Sequence, residues 1–294
     1  MHAFMYPLLP TALSPPHMAR PLFGEQWLAA RTVEGPADHP SHAVAWVSDF
    51  SEDRPVASRL LSGLSLQASG LPMPSEVWLW LGKPCPVRGI AGWEGNLAWL
   101  NRQEAARTRR FRFVEDRWSY STAHAALRLM VGALIDCPTR AITFSTTDMG
   151  KPVLCAERHG VPLANALQFN ISHTRGMVAV ALSGSPVGVD VERVRPLADM
   201  RQLVADLMAR EALEAYDAAA DAEERAALFF RYWTLGEAFI KATGQGLDQG
   251  LSSFAFSADG PPVLTRVTPG WGEPARWRMV HACCERRTHP LAWG

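Results

Sequence analysis

Pro186-Val187-Gly188-Val189-Asp190-Val191-Glu192 and Trp233-Thr234-Leu235-Gly236-Glu237-Ala238-Phe239-Ile240-Lys241-Ala242-Thr243-Gly244-Gln245-Gly246-Leu247 are the two stretches on which the reading of this chain turns. The first alternates as a strand. Side chains two apart in a strand share a face, so Asp190 and Glu192 stand together, opposite the apolar face of Val189 and Val191. The second reads as a helix, with Glu237 and Lys241 one turn apart on one face and Gly244-Gln245-Gly246 stopping it. Three carboxylates and a lysine able to converge are what a Mg²⁺-diphosphate site requires. Mg²⁺ takes oxygen ligands and keeps waters and substrate phosphates in its shell, so two or three carboxylates suffice. Each stretch also has a plainer reading. The acids are compatible with a solvated sheet face, and Glu237 with Lys241 is compatible with a surface ion pair worth ~0.2–0.5 kcal/mol.

Working outward, short strands and helices interleave without a strict strand–helix–strand rhythm, which predicts an α+β fold. Strands are expected at Val77–Leu81, Ile142–Thr146, Leu167–Ile171, Met177–Leu182, Val187–Glu192, Ser253–Phe256 and Arg276–Cys283. Helices are expected at Glu104–Arg112, Glu115–Ile135, Leu197–Met208, Arg210–Ala218 and Ala222–Ala242. Gly150-Lys151-Pro152 marks a turn. Residues 1–74 are punctuated by prolines and read as a loosely ordered extension, with a short helix near Val56–Leu66. The start of the chain lacks the charged head and apolar core of a signal peptide.

Composition narrows the function. Of the 294 residues 48% are hydrophobic and 20% charged, and the net charge is zero, which argues against a dedicated nucleic-acid binder. No apolar run is long enough for a membrane helix. Five cysteines without CxxC spacing predict a reducing, cytoplasmic setting. His281, Cys283, Cys284 and His289 invite a zinc assignment, but adjacent cysteines on a strand face opposite ways and read as ordinary thiols. Among the basic residues only Lys83, Lys151 and Lys241 are lysines, and two of these fall inside motifs. Ser172-His173 sits at a strand end, where a lone histidine by itself reads as structural.

Taken together, Gly150-Lys151-Pro152, Phe169-Asn170-Ile171-Ser172-His173, Gly188-to-Glu192 and Trp233-to-Leu247 resemble, in order and spacing, the Sfp-type 4′-phosphopantetheinyl transferases. The resemblance covers about residues 77 to 284. It implies two pseudo-symmetric α+β halves with the active site in the cleft between them, here residues 75–165 and 166–294, acting as a monomer. It also implies a reaction: coenzyme A donates its phosphopantetheine arm to a serine of an apo acyl or peptidyl carrier protein, and 3′,5′-adenosine bisphosphate leaves.

Residue by residue, the resemblance makes Asp190, Glu192 and Glu237 the Mg²⁺ carboxylates. Glu237 is also the candidate base for the carrier serine, and Lys241 a donor to the diphosphate. Ser172 and His173 would hold nucleotide phosphates, Lys151 would lie near the adenine and 3′-phosphate, and Arg107 would meet the 3′-phosphate. Glu104 stands where another base is expected. Gly236 stands where the family has lysine, which motivates an alternative: a non-catalytic coenzyme A or carrier-protein binding module. A diphosphate hydrolase ranks behind both, because no GxxxxGK[ST] phosphate loop is present.

Overall fold

The computed structural model describes residues 42–49, 57–60, 71–72, 76–84, 92–246, 249–257, 259–270 and 272–284. In chain order, β1 (His42–Asp49) and β2 (Ala57–Leu60) precede β3 (Glu76–Gly82), and α1 (Arg102–Arg110) and α2 (Val114–Leu134) follow. A small hairpin, β4 (Phe144–Thr146) and β5 (Pro152–Leu154), leads through α3 (Ala156–His159) and α4 (Val161–Ala166) to β6 (Gln168–Thr174) and β7 (Met177–Ser183). Then come β8 (Val187–Arg193), α5 (Met200–Leu207), α6 (Arg210–Ala218) and α7 (Ala222–Thr243). The hairpin of β9 (Phe254–Phe256) with β10 (Leu264–Val267) precedes the last strand, β11 (Trp277–Cys284). The architecture is α+β, as the interleaved pattern predicts.

Two sheets organise it, with strand orders β2-β3-β7-β6 and β11-β1-β8. In the first, β2 and β3 run parallel and the other neighbours antiparallel; the second is antiparallel throughout. The long helix α2 covers one face of the first sheet, burying Leu127 and Met130 among Trp78, Trp80, Phe169 and Val180. On its other face Val77, Leu79 and Leu81 meet Met177, Ala179 and Ala181, and also Val189 and Val191 of β8. A separate core surrounds α7, where Phe239 packs edge-on to Phe254 and Trp277.

The segment before residue 75 differs from the expected extension. Residues 42–49 form β1, the central strand of the second sheet, pairing Ala45 with Asp190 and Trp46 with Val189. Residues 57–60 form β2 where a helix was expected; the rest of 56–66 lies outside the described residues. The run Ala43-Val44-Ala45-Trp46-Val47 has the composition of a strand, and the surrounding prolines, which cannot join a ladder, obscure it in the sequence. The expected division at 165/166 falls within α4, and β6 and β7 beyond it pair onto β3, while β8 joins β1 in the second sheet.

Two glycine effects place α7. Gly244, at φ +73°, ends the helix in the left-handed conformation, its amide bonded to Ile240 O at 3.0 Å. Gly188 lies directly under the helix: a Cβ there would overlap the Ala238 carbonyl oxygen and the Ala242 nitrogen. Only a residue without a side chain lets the α7 backbone rest on β8. That contact sets Lys241 opposite Asp190.

Candidate active site

The two sheets meet where β6 runs beside β8, and there side chains replace the backbone ladder. Asn170 Oδ1 accepts the Val189 amide at 2.9 Å, and Ser172 Oγ accepts the Val191 amide at 3.3 Å. The Ser172 hydroxyl donates in turn to Asp190 Oδ1 at 2.9 Å. Lys241 Nζ reaches Asp190 Oδ1 at 2.6 Å and Ser172 Oγ at 3.3 Å. One hydroxyl thus uses its single proton and both lone pairs to tie two strands and a helix together. Asp190 is 3% exposed, and its second oxygen, Oδ2, is buried without a hydrogen-bond partner. A buried carboxylate oxygen left bare is costly, so a cation or donor belongs beside it.

Glu192 receives the Thr174 hydroxyl at 3.3 Å. Burial raises its pKa, and the neighbouring Asp190 charge adds to the rise. Burial also raises Glu237, with Lys241 opposing the shift and Asp190 adding to it. Asp190 therefore acts on both of the other expected carboxylates, Glu192 on β8 and Glu237 on α7. Among the described residues no three His, Cys, Asp or Glu side chains form a metal cage by themselves. An all-oxygen set with one bare buried oxygen instead fits a hard cation that completes its shell with ligand phosphates and water.

A cavity of about 650 Å³ opens beside this cluster. Its lining includes Glu237 and Lys241 of α7, Lys151 of the β4–β5 turn, Arg107 of α1, and Tyr120 and His124 of α2. Lys151 meets it through its stem while its ammonium is turned to backbone, donating to Ala242 O at 3.0 Å and Val187 O at 3.3 Å. It thereby caps the carbonyl end of α7 and pins the β4–β5 turn to β8. Burial brings its pKa down to about 8. His173 is open to solvent at the surface, yet the crowding of protein around it, then the charges of His124 and Lys241, lower its pKa.

Gly236 faces away from this chemistry. A Cβ there would sit 2.5 Å from Leu251 Cδ2 and 3.4 Å from Phe254 Cε2, so position 236 points into the core beside β9. The sequence reading placed it as a missing charge beside Glu237; the structure makes it a packing position.

Glu104, for which the sequence suggests no role, also lines the cavity. It closes a capping box with Asn101, taking the Asn101 amide at 3.0 Å while Asn101 Oδ1 takes the Glu104 amide at 2.8 Å. It also accepts Arg128 Nε at 2.6 Å and lies 3.3 Å from His124 Nδ1. Burial alone would raise its pKa, but the bonds from His124 and Arg128 outweigh that and hold it at about 2. The fully buried Arg128 further donates to the carbonyls of Thr139 and Ile142. One signal was available in the sequence: Arg128 interrupts the apolar run Ala125-Ala126-Leu127-Arg128-Leu129-Met130-Val131.

Comparison with known proteins identifies the family of the chain. Residues 88–185 match the model described as 4′-phosphopantetheinyl transferase, N-terminal, and residues 186–292 match that of the 4′-phosphopantetheinyl transferase superfamily. The junction of the two models coincides with the passage from β7 to β8. Among curated relatives, the 4′-phosphopantetheinyl transferase psf-1 of Bacillus pumilus is 33% identical over 55% of this chain and 66% of its own length. HetI of Nostoc sp. is 29% identical over 70% of this chain and 87% of its own. Sfp of Bacillus subtilis is 26% identical over 54% of this chain and 66% of its own. The chain belongs to the 4′-phosphopantetheinyl transferase superfamily. By that membership it is a phosphopantetheinyl transferase.

Proposed function

We propose that this chain transfers the 4′-phosphopantetheine arm of coenzyme A to a serine hydroxyl of an apo acyl or peptidyl carrier protein, with Mg²⁺ held by Asp190, Glu192 and Glu237. The observation that carries the reading is the Asp190–Ser172–Lys241 cluster, with its bare carboxylate oxygen, whose Lys241 lines a nucleotide-sized cavity. In the reaction the serine oxygen bonds to the diphosphate's β-phosphorus, the bond to the bisphosphate oxygen breaks, and 3′,5′-adenosine bisphosphate leaves. The metal, when bound, neutralises diphosphate charge and stabilises the leaving group.

The chain's own residues supply the rest. Lys241 donates to the diphosphate, exchanging its bond to Asp190 for one to substrate. Glu237 takes the serine proton, and its raised pKa brings it nearer to the range in which a carboxylate works as a base at neutral pH. His173 binds phosphate oxygens, Ser172 joins it by turning its proton from Asp190 to the ligand, and Arg107 meets the 3′-phosphate. Lys151 holds the cavity wall in place and offers its stem to the adenine. The cavity takes its lining from α1 and α2 as well as from α7 of one chain, which supports an active site between two pseudo-symmetric halves and activity as a monomer. Cys137 and Cys155 stand as thiols, which supports a reducing, cytoplasmic setting.

Intact-mass spectrometry of apo carriers incubated with the full chain, coenzyme A and Mg²⁺ tests this. The expected result is a carrier heavier by one phosphopantetheine, with the gain abolished by EDTA and restored by Mg²⁺. Coenzyme A consumed without a carrier would instead identify a hydrolase. Coenzyme A bound but never transferred would identify the binding module. The argument for that module rested on Gly236, and the packing of that residue removes it.

A further inference from the structure

We infer that Lys151 is a positioning residue: its ammonium, touching no ligand, clamps α7 to β8 across the Gly188 contact and so keeps Lys241 in register with Asp190. The inference rests on the transferase reading and deepens it, because it gives the transfer site a strut that comes from neither β8 nor α7.

The two carbonyls that Lys151 takes stand on either side of one crossing. Val187 O belongs to β8, immediately before Gly188, and Ala242 O to α7, immediately after Lys241. Lys151 Nζ donates to them at 3.3 Å and 3.0 Å. At the crossing itself the Ala242 nitrogen lies so close to Gly188 that no Cβ fits between strand and helix. Gly188 lets the two elements touch, but a bare glycine holds nothing; a bridging ammonium does. Lys241 directly precedes the clamped carbonyl, and Asp190 follows Gly188 by two residues on the same strand face. A slide of α7 along β8 would therefore part Lys241 Nζ from Asp190 Oδ1, which stand 2.6 Å apart.

The β4–β5 turn is built to deliver that ammonium. Thr147 closes it, donating its amide to Lys151 O at 2.9 Å and accepting the Lys151 amide on its hydroxyl at 3.1 Å. The Lys151 stem then crosses Gly244, where a Cβ would sit 3.2 Å from Lys151 Cδ. Ala242 O is one of the last four carbonyls of α7, which lack a partner within the helix and favour a cation. Burial lowers the Lys151 pKa to about 8, with no charged side chain among the described residues adding to the shift. Two acceptors reached by a narrow passage over glycine suit a slim stem with a compact head. A guanidinium would bring five N–H groups to the same two carbonyls. That difference accounts for a lysine here, in a chain whose basic residues are nearly all arginine.

Kinetics of carrier modification, calorimetry with coenzyme A and amide hydrogen exchange, all on the full chain, test the clamp. Lys151→Met keeps the stem and removes the head. Its kcat should fall on the order of ten- to a hundredfold, as misplacing reacting groups by about 1 Å does, with coenzyme A affinity within about threefold of wild type. The Gly244 amide, which bonds to Ile240 O at the end of α7, should exchange faster. Lys151→Arg should not restore kcat, whereas at a phosphate contact it would. An unchanged kcat in Lys151→Met overturns the inference. So does affinity lost with kcat intact at saturation, which would make Lys151 a ligand contact. Should Lys151→Met fold poorly, nitrogen-15 NMR of the lysine side chains decides on wild type, where only Lys83, Lys151 and Lys241 give signals. Adding coenzyme A and Mg²⁺ should move the Lys241 Nζ signal and leave that of Lys151 in place; a Lys151 signal that moves by as much overturns the clamp. Modification of no carrier by wild type would sink the transferase reading, and the exchange and NMR results would still judge the clamp.

Discussion

At Gly188 a missing side chain does as much for the site as Asp190 does with its charge. The α7 backbone touches β8 there, so a methyl group would have to push the Ala238 carbonyl and the Ala242 amide away. Backbone cannot yield as a side-chain tip can, and overpacking of this kind costs typically 1–3 kcal/mol, occasionally more. Gly188→Ala should therefore lower the unfolding free energy measured in urea by roughly that amount and weaken cofactor binding, because Lys241 moves with the helix. Gly236→Ala offers a contrast. Its methyl meets the flexible end of Leu251, and replacing glycine in a helix interior recovers ~1 kcal/mol of propensity. Its activity per folded molecule should equal that of wild type, and a rate loss of tenfold or more would return Gly236 to the site. Asp190, Glu237 and Lys241 were legible because period-two and i,i+4 spacing place them without knowledge of the fold. His124 and Glu104 were not, since twenty residues separate them and only the packing of α1 on α2 brings them together.

Between elements, the seam of β6 with β8 and the clamp of α1 on α2 carry the argument. Asn170→Ala strips the buried Val189 amide of its acceptor, which costs about 1–3 kcal/mol. Hydrogen exchange should show that amide losing protection in the variant while amides of β3 keep theirs. The α1–α2 clamp has a pH signature. Glu104 titrates at about 2 in the fold against an ordinary 4.5, so its stabilisation is complete above about 4.5 and is lost as pH falls toward 2. Glu104→Gln leaves Arg128 buried without its counter-charge and should cost roughly 3–5 kcal/mol at pH 7. The gap between variant and wild type should narrow as pH drops from 5 to about 2. A gap constant across that range would mean that Glu104 acts only through its shape. The sequence marked these helices and strands because their periodicity is local. It could not mark the seam, because Asn170 and Ser172 replace a ladder that exists only once the two sheets meet.

For the whole molecule, the sheet holding Asp190 is completed by a strand from the proline-rich region. Because β1 lies between β8 and β11, removing residues 1–74 would leave two open strand edges where one sheet stood. Such a truncation should yield little soluble protein, with reduced sheet signal in circular dichroism. A folded, active truncation would restore the reading of that segment as an extension. The strand is hidden in the sequence because the five prolines in the thirty residues before β1 outweigh a five-residue apolar run, and only pairing with β8 and β11 decides between them.

The central claim is that the acid–lysine cluster at the meeting of β6, β8 and α7 is the transfer site. The most direct measurement is the mass of an apo carrier after incubation with coenzyme A, Mg²⁺ and either wild type or Asp190→Ala, the two matched for folded fraction by circular dichroism. Wild type should add one phosphopantetheine to the carrier and Asp190→Ala none. Equal modification by both would contradict the account, as would no modification by wild type across acyl and peptidyl carriers.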